Sequence, residues 1–86
     1  MSLNDYRDEV KDFLEEVKDT DESMVKQTDM LEEELELLRE ADEDDDLRHQ
    51  IYDILFILFA MAAKKDLDLD EEWRNGRKKK RKYVKD

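Results

Sequence analysis

Four oxygen-bearing side chains stand at spacings that could hold a hard cation. Glu33 and Glu36 lie three residues apart, and Gln50 and Asp53 repeat that interval further on. Residues at i and i+3 share a helix face, so two helices carrying such pairs can converge on one ion. Three carboxylates and an amide oxygen suit Mg2+, which takes oxygen ligands, keeps several waters and leaves room for substrate phosphates. An acidic stripe is ordinarily just a solvated face. At about 100° per residue, Asp29, Glu33, Glu36 and Glu40 form such a stripe, opposite Met24, Thr28, Leu31, Leu35 and Leu38. Met30 and Leu37 flank the acids and make their complete exposure less comfortable. Asp53 gives the sharper hint, because it is the single charge in the long apolar run Ile51 to Ala63. A carboxylate near the start of a buried helix is expensive unless paired, and a metal ion is the economical partner.

The elements that must position these groups are helices. Half of the 86 residues are charged, proline is absent and Gly76 is the one glycine, which favours helices over hairpins. Ser2 or Asn4 can cap a first helix reaching about Lys18, with Tyr6, Val10, Phe13, Leu14 and Val17 as its apolar stripe. Thr20 to Ser23 is a polar link to a second helix from about Met24 to Ala41. The acids 42–46 follow, with Asp46 as the expected cap of a third helix over about Leu47 to Lys65. A fourth helix begins near Asp70 or Glu71, weakened or bent at Gly76. The third helix is apolar at every phase, so it should be buried on nearly all sides, in part by another copy of the chain. The thirteen residues of its apolar run, Ile51 to Ala63, fall short of the roughly 20 that span a bilayer.

The chain reads as one domain, 1–86, with a basic tail over 74–86. Residues 1–73 hold 26 acidic and 8 basic side chains, net −18, whereas residues 74–86 are net +7. That asymmetry suits either an anion held by the tail or a tail neutralising the protein's own acids. A total charge of −11 argues against general nucleic-acid binding. Without cysteine, a signal peptide or a membrane span, the default is a cytoplasmic protein that engages no membrane.

The run Glu32-Glu33-Glu34-Leu35-Glu36 resembles the E-E-x-x-E motif of the MazG-like all-α nucleoside triphosphate pyrophosphohydrolases. Gln50-Ile51-Tyr52-Asp53, after thirteen intervening residues, is similar to that family's E-x-x-D, and an apolar helix follows as it does there. Leu67 to Trp73 looks like the entry to the family's last helix. The resemblance covers about residues 10–83. It implies a four-helix bundle assembled as a homodimer or homotetramer. It also implies Mg2+-dependent hydrolysis (Mn2+ a possible substitute) of a nucleoside triphosphate, NTP or dNTP, to monophosphate and pyrophosphate. On that likeness Glu33, Glu36, Gln50 and Asp53 would hold metal, and Glu32, with Glu33, would act on the attacking water. Metal ions would neutralise phosphate charge and acidify bound water.

Several positions depart from the family's pattern. Gln50 replaces a glutamate and removes one negative charge, Leu35 and Tyr52 stand where glycine is common, and Glu34 stands where an aliphatic residue is common. The alternative is therefore a non-catalytic relative with a degraded metal site, a nucleotide-binding or protein-interaction module. Arg77, Lys78 and Arg81 could reach the triphosphate or could be a helix end favoured by the macrodipole. His49, four residues before Asp53, could join the site, though a histidine in a first helical turn is more often simply solvated. Tyr52 and Trp73 could stack on a base, with core or interface packing the commoner use.

Overall fold

The computed structural model describes residues 1–19 and 23–84. Among them it is all-α: α1 (Leu3–Glu16), α2 (Met24–Arg39), α3 (Asp44–Lys64) and α4 (Leu69–Arg81), with no strand. Most of the expected link after α1 (residues 20–22) and the end of the basic tail (residues 85 and 86) lie outside the described residues. No helix among the described residues is long and apolar enough to cross a membrane.

Three of the four helices start where a side chain satisfies free N–H groups. Ser2 caps α1 through a capping box: its Oγ accepts from Asp5 N–H, and Asp5 Oδ2 accepts from Ser2 N–H at 2.9 Å. Ser23 Oγ accepts from Lys26 N–H at 3.1 Å to open α2, and Asp68 Oδ1 accepts from Glu71 N–H at 3.0 Å to open α4. The third helix departs from expectation. It begins three residues earlier, at Asp44 after Glu43, and Glu43 makes no side-chain cap bond. Asp44, Asp45 and Asp46 therefore sit inside the first turn, where the positive end of the helix dipole favours them. The fourth helix runs unbroken through Gly76.

Two helices end alike. Lys18 and Asp66 take left-handed backbone, φ 57° and 52°, and close six-to-one hydrogen bonds from Asp19 N–H to Leu14 O and from Leu67 N–H to Ala62 O, both 2.9 Å. This is the Schellman arrangement, in which glycine is the usual left-handed residue.

The third helix is central, packed against both α2 and α1, while α4 leans on α1. The resulting core is thin. Among the described residues, Val10, Ile57, Ala60 and Ala62 are its buried apolar residues, and no side chain is completely enclosed. The expectation that α3 is covered all round is not met within one chain: Ile51, Tyr52, Leu55 and Leu58 are exposed. A thirteen-residue apolar run has more faces than two neighbouring helices can cover. The apolar stripe of α1 behaves likewise, with Val10 buried and Tyr6, Phe13 and Val17 exposed. α4 buries no residue, so the packed body is α1–α3. The chain is accordingly extended, with a radius of gyration of 15.0 Å against about 12 Å for a compact domain of this length.

Candidate functional site

The expected metal ligands are carried by the two helices that pack together, α2 and α3, but they are not gathered. Glu32, Glu33 and Glu36 are all exposed. Among the described residues, no group of three or more His, Cys, Asp or Glu side chains is placed to hold a metal ion. Asp53 is half-buried and takes a nearer partner, His49 Nε2 at 3.3 Å one helical turn away. The histidine is mostly exposed, as a first-turn residue was expected to be.

The acid that turns inward from α2 is Glu34, half-buried between exposed Glu33 and exposed Leu35. The face of α2 that packs is Met24, Gln27, Leu31, Glu34 and Leu38, at alternating steps of three and four residues. That is a helix-packing seam, and it rotates the packed face away from the Thr28–Leu35 line. Two polar residues occupy the seam and α3 adds a third. Gln27 Oε1, Glu34 Oε2 and Gln50 Oε1 are shielded from solvent and accept no hydrogen bond. Among the described residues, Gln27 is the one buried polar residue, 6 % exposed. The sequence signal for this seam was present, since a strict three-four alternation runs through the two polar residues. An apolar-only reading of the wheel passes over it.

A second site, between α1 and α3, is larger in apolar character. A groove of about 550 Å³ is lined by Leu3, Tyr6, Val10, Phe13, Tyr52, Leu55, Phe56 and Phe59, with Glu9 at its edge. Its walls are held by ring contacts. Phe13 meets Phe56 edge-on at 5.8 Å between centroids, Tyr6 lies 6.0 Å from Phe59, and Tyr52 lies 6.4 Å from Phe56. Such pairs prefer these tilted and edge-to-face arrangements. Beside the groove runs an acidic strip on α1 that includes Asp5, Glu9, Asp12 and Glu16. Tyr52 belongs to this groove, 63 % exposed.

At the start of α1 a polar junction fixes α4. Asp70 Oδ1 accepts from Leu3 N–H at 2.9 Å, and Asn4 Oδ1 accepts from Leu69 N–H at 2.8 Å. Asn4 Nδ2 also donates to Asp68 Oδ1 at 2.9 Å, and Arg7 Nη1 donates to Leu67 O at 2.6 Å. Each helix thus helps cap the other's first turn. The Asn4 amide, together with Glu71 N–H, holds the Asp68 carboxyl below the usual carboxylate range. Ser2 N–H does the same for Asp5. From this junction α4 carries exposed Trp73 and the exposed basic residues Arg77, Lys78, Lys80 and Arg81. Arg77, Lys78 and Arg81 are exposed, on a helix whose main contact is with α1, whereas the expected metal ligands stand on α2 and α3.

Comparison with protein-family models, curated proteins and solved structures gives no match to this chain.

Proposed function

We propose that the chain is a non-catalytic protein-interaction module whose α1–α3 groove receives an amphipathic helix with basic flanks. The observation that carries this reading is the groove itself. Tyr6, Phe13, Tyr52 and Leu55 stand in solvent together beside an unbroken acidic strip. Contiguous exposed apolar surface rimmed by charge marks an interaction site, and a helix laid in a groove is a standard mode of recognition. The acids select a basic partner by attraction and reject acidic ones.

The test adds a designed basic amphipathic helical peptide to the protein and follows its aromatic and methyl NMR signals. Shifts should concentrate on Tyr6, Phe13, Tyr52, Leu55 and Phe56, and Phe13→Glu should abolish them. Shifts scattered over the surface, or unchanged by that substitution, would sink the reading.

One observation favours a second reading, the Mg2+-dependent nucleoside triphosphate pyrophosphohydrolase. Gln50 Oε1 and Glu34 Oε2 are shielded oxygens without hydrogen-bond partners on helices that pack together. Asp53 lies half-buried one turn from Gln50. A cation would satisfy such oxygens, although the full ligand set would need Glu33, Glu36 or further carboxylates brought closer. Pyrophosphate release from a nucleotide panel with Mg2+ or Mn2+, lost in Asp53→Ala and Glu36→Ala, would establish this activity over the module. Gln50→Glu separates an active site from a vestige: a large gain in Mg2+ affinity and in turnover from near zero marks the vestige.

A further inference from the structure

We infer that the helix received by the α1–α3 groove is α4 of a second copy of this chain, the exchange being reciprocal. This rests on the groove being an interaction site, and it adds the identity of the occupant.

Three observations converge on α4. It is strongly two-faced yet buries no residue. Leu69, Trp73, Gly76 and Lys80 fall on one side of its wheel, with Trp73 62 % exposed. Gly76 has nothing within 4 Å of where a Cβ would stand, so that side is flat and unoccupied at its middle. Its charge is the complement of the groove's border. Arg77 and Lys80 form no ion pair among the described residues and stand beside the Trp73 stripe. On α1, Asp5, Glu9, Asp12 and Glu16 stand beside the Tyr6–Phe13 stripe. Thirteen residues of α4 and fourteen of α1 both make helices about 20 Å long, at 1.5 Å per residue.

The chain's own α4 does not serve. The junction of Asn4, Asp68 and Asp70 anchors its first turn at the start of α1, and no α4 residue lines the groove. The two surfaces are nevertheless continuous, because Leu3 lines both the groove and the cleft under Trp73. Two chains related by a twofold axis can therefore each lay α4 along the other's groove in one self-complementary interface. The exposed area supports this. The chain shows 7297 Å² to solvent, against about 5,400 Å² for a compact monomer of its mass. The excess is larger than the roughly 800 Å² each partner gives to a standard interface.

Complementary charge reversal tests the exchange. Arg77→Glu/Lys80→Glu makes α4 acidic against an acidic groove, and Glu9→Lys/Asp12→Lys makes the groove border basic against a basic α4. Sedimentation equilibrium should find wild-type dimers, each variant alone weakened at least tenfold in dimer affinity, and an equimolar mixture restored to dimer. Circular dichroism should leave both variants helical, since the four side chains are exposed. A monomeric wild-type chain overturns the exchange while leaving the groove free for another basic helix, as the peptide titration would report. Variants that stay dimeric, or a mixture that does not dimerise, also overturn it.

Discussion

Glu34 and Gln50 are the residues at which packing and chemistry pull apart. Their shielded oxygens accept no hydrogen bond, and an unsatisfied buried oxygen carries its desolvation penalty uncompensated. In the module reading nothing offsets that penalty. Glu34→Leu, which fills the same seam position with an apolar side chain, should then raise stability by about 1 to 2 kcal/mol. Urea unfolding midpoints measure this, and a fall instead would mean that Glu34 serves a bound partner. The carboxyls at the helix starts act in the opposite sense. Asp5 and Asp68 are held below their ordinary value near 3.8 by the N–H groups they accept from. A lowered folded-state pKa gives stability that is complete above the ordinary value and lost as pH falls through the lowered one. Acid unfolding should therefore include a component below about pH 3.8 that Asn4→Ala diminishes, read from thermal melts across pH.

At the scale of elements, the ends of α1 and α3 carry backbone strain. Left-handed conformations are unfavourable for side chains other than glycine by about 1 to 2 kcal/mol. Lys18 and Asp66 adopt them because the Schellman closures need them. Asp66→Gly should stabilise the fold by about 1 kcal/mol, reduced from the full strain by glycine's greater freedom in the unfolded chain. Asp66→Val should destabilise it. Calorimetric melting temperatures distinguish the two directions. Within α3, truncation at a buried position matters most, and Ile57→Ala at a site 7 % exposed should cost about 2 to 4 kcal/mol. In a core this thin that loss is enough to leave the chain largely unfolded at room temperature.

For the molecule as a whole, the four buried apolar residues among those described are a small core for a chain of 86, and small domains sit near the limit of stability. If association supplies the missing burial, the apparent melting temperature must rise with protein concentration by mass action. A melting temperature constant over a hundredfold dilution would refute that coupling. The charge distribution belongs to this scale too. In the proposed exchange the acidic body of one copy would attract the basic α4 of the other, so dissociation should be promoted by added salt, because exposed charges are screened.

The order and extent of the helices were legible in the chain alone, because capping residues, apolar periodicity and the lack of proline act over a few residues. Ser2, Ser23 and Asp68 are local signals of that kind, and the start of α3 was misplaced only because five consecutive acids offer several equivalent starts. The sign asymmetry between body and tail was equally plain. What only tertiary structure decided was rotation about each helix axis: which of Glu33, Glu34 and Glu36 turns inward, and which side of α3 is left in water. A wheel ranks faces by composition, whereas packing chooses the face that two neighbours can cover together. With so few neighbours in one chain, that choice left the aromatic side of α1 and α3 open.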